Sequence, residues 1–267
     1  MAVFEISMHS SSLGHITHLT AIVPTEVRRF PGRPEPEPTK DLRCLILLHG
    51  YSGIDTDWIR GSSIAEQASR HNIAVICPDG GNSFYIDDTI MGELYETLLY
   101  KEIPEFVRNT FPISNDPADM FIGGFSMGGY GALHTALKHP DVFGGCVALS
   151  SALVTETLHK MSPEGRSPMR PYTYYTHIFG DLDKVLGSDL DPKWLAKQCV
   201  DLPNRPAMFM ACGTEDGGFA GNQAYSDYLD SIGYDHYFGA SKGVHNFLFW
   251  DEYIIKALDW IDGLKKA

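Results

Sequence analysis

Two stretches of this 267-residue chain fit the pattern G-x-S-x-G. One is Gly124-Phe125-Ser126-Met127-Gly128, within GGFSMGGYGA, and the other is Gly239-Ala240-Ser241-Lys242-Gly243. The pattern suits a strained turn from strand to helix, where the positions two before and two after the serine must lack bulk. Such a turn lifts the hydroxyl clear of a sheet edge. A serine hydroxyl is a weak nucleophile until a base lies within hydrogen-bond reach and a third group orients that base. The chemistry on offer is therefore acyl transfer through a serine ester. Ser126 has the required setting, with the apolar MFIG before it and a helix of small residues after it. Ser241 lacks both a following small-residue helix and a carboxylate before His245, so it reads as a loop serine.

In sheets of this type the acid and then the histidine follow the serine along the chain. Downstream of Ser126 stand His134, His139, His159, His177, His236 and His245. His134 and His139 belong to the helix leaving the serine or to its end and should point away. His159 and His177 come before the strand best placed to supply the acid. His236 starts a short strand rather than following one. Elimination leaves His245, in SKGVHNFLFWD. The acid is expected just past the strand AMFMAC, in Cys212-Gly213-Thr214-Glu215-Asp216. Glu215 and Asp216 both qualify by position, and the shorter Asp216 is preferred. A carboxylate there would accept from the imidazole N–H, fix its tautomer and stabilise the imidazolium. Two amides are expected to hold the oxyanion. One is Met127 N–H; the other is Tyr51 N–H, in HGYSG after RCLILL, where Gly50 lets the chain turn inward.

Something must hold these far-separated residues at one edge. Strands are expected at Phe4–Met8, His18–Val23, Arg43–Leu48, Ala74–Cys77, Met120–Gly123, Cys146–Leu149, Ala207–Cys212 and His236–Phe238. Helices are expected at Ser62–His71, Glu93–Thr110, Tyr130–Lys138, Gln223–Ile232 and Trp250–Leu264, with Pro104 kinking or splitting the second. The Pro-rich Arg28–Lys40 reads as a loop. The alternation predicts one α/β domain over residues 1–267, with a mainly parallel sheet covered by helices on both faces. Val154–Leu202 breaks the rhythm and reads as an excursion over the sheet's carboxyl edge.

Composition narrows the partners. Apolar residues at 43% and charged residues at 21% suit a globular chain. A net charge of −13 opposes sequence-independent nucleic-acid binding and docking on anionic lipid. The N-terminus MAVFEISMHSSS lacks a secretory pattern, and no apolar run is long enough to span a bilayer. The five cysteines show no CxxC spacing and read as reduced thiols of a cytoplasmic protein. Asp55-x-Asp57 and His15-x-x-His18 are too sparse for a metal site.

LLHGYSG, GGFSMGGYGAL, CGTEDG and GVHNFLFWD together resemble the α/β-hydrolase esterases of the esterase D group, from about Arg43 to the C-terminus. The resemblance implies an α/β-hydrolase fold, a Ser126–Asp216–His245 triad, oxyanion donors at Tyr51 and Met127, and no metal or organic cofactor. Tyr130 looks more like the tributyrin and acetyl esterase branch than the S-formylglutathione hydrolases, which usually carry histidine there. GTEDGGFAGN departs from the pattern, since relatives usually place bulky apolar residues after the acid; Gly217 and Gly218 would loosen that loop or open a pocket wall. Trp58, Tyr85 and Phe247 are expected as substrate-binding residues on loops of the same edge. The reading that results is a serine carboxylesterase for short acyl esters, acting on a small-molecule or saccharide-linked ester, with a homo-oligomer left open. Feruloyl or acetylxylan ester cleavage and S-formylglutathione hydrolysis are rivals. A binding protein on the same fold would lack a triad member, and none is missing.

Overall fold

The computed structural model describes residues 1–25, 40–164 and 170–264. The expected loop over Arg28–Lys40 lies, but for Lys40, outside the described residues. Eight strands form one sheet: β1 (Ala2–Ser10), β2 (His15–Val23), β3 (Arg43–Leu48), β4 (Ile73–Pro78), β5 (Met120–Phe125), β6 (Gly145–Leu149), β7 (Ala207–Gly213) and β8 (Tyr237–Ser241). Their spatial order is β1-β2-β4-β3-β5-β6-β7-β8. The first two pairings, β1 with β2 and β2 with β4, are antiparallel; the rest are parallel. The carboxyl ends of β3, β5, β6, β7 and β8 therefore share one edge.

β3, β4, β5 and β6 are buried at every position, as parallel strands covered on both faces must be. Alternate residues feed two cores. Leu45, Leu47, Phe121, Val147 and Phe209 face the side covered by helices α1 (Ile64–Arg70) and α7 (Phe247–Leu264). Cys44, Ile46, Ile122, Cys146 and Met208 face the other. That side carries α2 (Ile103–Thr110), α3 (Met127–Lys138), α4 (Tyr172–Phe179), α5 (Pro192–Cys199) and α6 (Phe219–Ser231). The five cysteines are unpaired and buried, and burial pushes the thiols of Cys44 and Cys146 up to about 12. His71 Nδ1 lies 2.7 Å from Asp262, which also pairs with Arg43, so the end of α7 is tied to the start of β3.

The helix expected over Glu93–Thr110 is interrupted. Glu93–Leu94 pairs with Asp87–Asp88 in a small ribbon, and Leu98–Glu102 widens into a π-turn before α2. Pro104 explains the widening. Without an N–H it cannot close an α-turn on Tyr100, and Ile103 N–H bonds instead to the carbonyl of Leu98. Within this stretch Glu96 is buried. It lies 2.7 Å from His139 Nε2, accepts from Lys138 Nζ at 3.1 Å and stands 4.0 Å from His134 Nε2, all on or just past α3. Burial alone would raise the Glu96 carboxyl. The bond to His139 and the charges of His134 and Lys138 outweigh it, and hold the carboxyl near about 2 against an ordinary 4.5. The stability it supplies is therefore complete above about 4.5 and is lost as pH falls towards about 2. Chemical unfolding of Glu96→Gln should show a stability lower by about 3 kcal/mol at pH 7, with a shallower acid dependence than the wild type. Equal acid slopes for the two proteins would refute this role.

The excursion between β6 and β7 holds α4 and α5. α5 packs down on α3, where Cys199 Sγ donates to the Leu137 carbonyl. α4 reaches the carboxyl edge, where Tyr174 Oη donates to the carbonyl of Asn82 at 2.5 Å.

Candidate active site

β5 ends at Phe125 and α3 begins at Met127, so Ser126 makes the turn alone. Its φ of 56° and ψ of −118° are strained for an L-residue. Only glycine fits on either side. A Cβ on Gly124 would stand 2.7 Å from the Gly128 carbonyl, and one on Gly128 would stand 2.6 Å from the carbonyl oxygens of Leu48 and His49. The exit of β6 holds the strain in place: Ser126 N–H donates to Leu149 and Ala152 N–H donates to Ser126, each at 2.9 Å. The side chain is half-buried. Met127 N–H, first in α3, has no acceptor inside the helix and sits at the positive end of its dipole. Ser241, by contrast, closes β8 in register with Gly213 and has no strained backbone.

The acid and histidine loops leave neighbouring strands and are stitched together. Thr214 N–H donates to Ser241 and Glu215 N–H to Gly243, both at 2.9 Å. Asp216 is thereby turned inward, its side chain only 2% exposed. Its Oδ1 accepts from Gly218 N–H at 2.8 Å, and its Oδ2 lies 2.7 Å from His245 Nδ1. A carboxylate at Nδ1 keeps the proton there and leaves Nε2 with its lone pair. Glu215, the other acid open on position, points to Lys242 at 3.8 Å near solvent. The His245 ring meets Trp250 edge-on at 4.9 Å. Trp250 stacks at 4.0 Å on Phe125, the residue before Ser126, and its Nε1 donates to Ser150 Oγ. One indole thus supports both the histidine and the turn. Among the described residues Asp216 and His245 are hydrogen-bonded, and Ser126 Oγ has no hydrogen bond to His245. In a site without substrate such a bond is commonly long and tightens only in the complex.

The loop after β3 is rigid for reasons visible in its partners. His49 is buried; its Nε2 accepts from Gly80 N–H at 2.9 Å, so Nδ1 carries the proton and donates to Gly50 at 2.7 Å. Tyr85 Oη donates to the His49 carbonyl, and Ser52 N–H to Asn82 Oδ1 at 2.7 Å. A Cβ on Gly50 would lie 2.4 Å from the Phe125 ring. Tyr51 follows at once, with Tyr174 edge-on at 6.1 Å and the Arg170 guanidinium over its ring.

A family described as "Putative esterase" matches residues 28–261. The chain belongs to this esterase family. It is 38% identical to an acetyl esterase of Caldicellulosiruptor saccharolyticus, over 98% of each chain. Among solved structures it resembles the fluorophosphonate-binding serine hydrolase FphF of Staphylococcus aureus, with a TM-score of 0.83, 30% identity and coverage of 97% of this chain and 98% of that one. The S-formylglutathione hydrolase FrmB of the same species follows with a TM-score of 0.80, 31% identity and the same coverage. This chain is an ester hydrolase with the α/β fold of those serine hydrolases.

Two expected pocket residues of this esterase stand elsewhere. Trp58 and Tyr85 are buried, at 1% and 0% exposure, and offer no face to a substrate. Trp58 donates to the Leu48 carbonyl and packs against Phe125 and Phe247. Tyr85 fills the space beside Gly80 and Gly131. Aromatic type on a predicted loop did not separate a wall from the support behind it. Phe247 is half-buried and leans on Phe125 at 5.0 Å. A Cβ on Gly217 would meet nothing within 4 Å, whereas one on Gly218 would meet Asp216 Oδ1 at 3.4 Å and Asn222 Nδ2 at 3.6 Å. Trp250 and Asn222 carry no spacing signal, being a lone Trp in a closing helix and a single asparagine.

Other features of the esterase lie apart from Ser126. A cavity of about 700 Å³, around Asp116, Arg205, His236 and Trp260, opens at the opposite, amino ends of the strands. Asp55 accepts from Thr20, and His18 Nδ1 lies 3.1 Å from Ser7 Oγ; no group of three or more metal-ligating side chains converges among the described residues. No helix among them is long and apolar enough to cross a membrane.

Proposed function

We propose that this esterase is a serine carboxylesterase of short-chain acyl esters, with Ser126 as nucleophile, His245 as base and Asp216 as its orienting acid. The observation that carries the reading is the 2.7 Å bond from His245 to a buried Asp216 at the edge where Ser126 is held in its strained turn. Ser126 Oγ attacks the ester carbonyl and its proton passes to His245 Nε2. The carbonyl oxygen becomes an oxyanion, held by the amides of Tyr51 and Met127. Each such donor contributes about 3 kcal/mol to the transition state. As the intermediate collapses, His245 returns the proton to the leaving alcohol, and the acyl group stays on Ser126. Water, activated by the same histidine, then releases the acid.

Phe247 and Trp250 pack on Phe125, the residue before the serine, and on each other, which suits an acetyl-sized group. The relative called an acetyl esterase supports the same choice. On the other side, the Tyr51–Tyr174 pair favours a flat ring, a sugar or an aromatic acid, as a second reading. A panel of p-nitrophenyl acetate, butyrate and octanoate, acetylated xylan, methyl ferulate and S-formylglutathione tests both. The reading predicts the highest kcat/KM for acetate or butyrate and a loss of about tenfold or more for octanoate. A preference for the thioester would overturn it, and a preference for ferulate would move the assignment to the second reading.

A further inference from the structure

Asn222 takes no part in the chemistry above, yet it is fully buried and its side-chain amide is spent across two loops. On one side Oδ1 accepts from Ser151 N–H at 3.1 Å and Nδ2 donates to the Ser151 carbonyl at 3.0 Å. On the other Nδ2 donates to the Gly218 carbonyl at 3.0 Å. Each loop leads directly to a reacting group. Gly218 N–H holds Oδ1 of Asp216, the oxygen that His245 does not use. Ser151 precedes Ala152, whose N–H holds the carbonyl of Ser126, and a Cβ on Gly129 of the elbow helix would stand 2.6 Å from Ser151 Oγ. One carboxamide, with an acceptor on one atom and two donors on the other, matches this set of partners; a carboxylate or a hydroxyl does not.

We infer that Asn222 is a positioning residue that fixes the spacing between the acid loop and the nucleophile turn, and so acts on the reaction through Asp216 and Ser126. This rests on the Ser126–Asp216–His245 reading. Loss of the bridge lets the acid loop relax relative to the turn. His245 then spends less time with Nε2 aimed at Ser126, while substrate binding is untouched.

The test compares Asn222→Ala and Asn222→Asp with the wild type, each well below its own melting temperature. Both should lower kcat on p-nitrophenyl acetate by about 10- to 100-fold, the size typical of residues that orient a reacting group from behind. KM should stay within about twofold, since the mutation removes transition-state positioning alone. Inactivation by a fluorophosphonate, which needs the activated serine and little substrate binding, should slow by the same factor. The low-field proton of His245 Nδ1 in the NMR spectrum should shift or broaden. Asn222→Asp keeps the size and can donate only when protonated, so its kcat relative to wild type should rise as pH falls. It carries the same readouts should Asn222→Ala fail to fold. A wild-type kcat in a folded variant, a raised KM with unchanged kcat, or a lower kcat with an unmoved proton resonance would each overturn the inference. Ser126→Ala is run beside them. If it keeps turnover, the triad reading fails; if it is inactive while the Asn222 variants match wild type, only the positioning role fails.

Discussion

Ser126→Ala should lower kcat for p-nitrophenyl acetate by about a millionfold, the loss that follows removal of the nucleophile in serine hydrolases. The oxyanion donors and the binding surface would remain, so a residue of about 10³-fold catalysis over water should persist. The fold should not suffer. Alanine can occupy the same strained φ of 56°, and both backbone bonds that hold the turn, from Ser126 to Leu149 and from Ala152 to Ser126, survive the change. Steady-state rates and thermal unfolding, measured on one preparation, separate the two effects. A variant that keeps more than a small fraction of turnover would place the nucleophile elsewhere.

Asp216→Asn should cost about 10⁴-fold in kcat, for a reason specific to this site. Gly218 N–H already donates to Oδ1. In the variant it selects the amide oxygen for that position, and the new NH₂ takes the place of Oδ2, facing His245 Nδ1. A donor then faces a donor, so the imidazole shifts its proton to Nε2 and can no longer accept from Ser126. The variant should bind ester with little change in KM. Its fluorophosphonate labelling should slow in proportion to kcat. A loss of tenfold or less would mean that the carboxylate does not set the tautomer.

Sequence made the turn legible because its constraints are local and steric. The glycines at 124 and 128 face carbonyls that would stand 2.7 and 2.6 Å from any Cβ, and such demands write themselves into residue type at fixed spacing. The central strands were legible for a related reason, since burial on both faces leaves continuous apolar runs such as RCLILL. Asp216 was preferred to Glu215 by length alone, and the stitching of its loop to Ser241 and Gly243 turns the two residues opposite ways. Long-range packing was less legible. Trp58 and Tyr85 fall on predicted loops, yet their rings fill holes left by glycines and carbonyls far along the chain, which no local pattern reports. Asn222 meets Ser151 across 71 residues, and a single asparagine beside glycines resembles any loop. The π-turn before Pro104 shows a milder case, where the proline marked the fault and the change of hydrogen-bond register had to be seen in the structure.

The most direct measurement is the identity of the acylated residue. The esterase is mixed with p-nitrophenyl acetate, quenched in acid during the first turnovers, digested and mapped by mass spectrometry. One acetyl group on the peptide containing Ser126, absent from the Ser126→Ala protein, is the predicted result. An acetyl group on Ser241 or another side chain, or full turnover with no acyl-enzyme trapped at any time, would contradict the account.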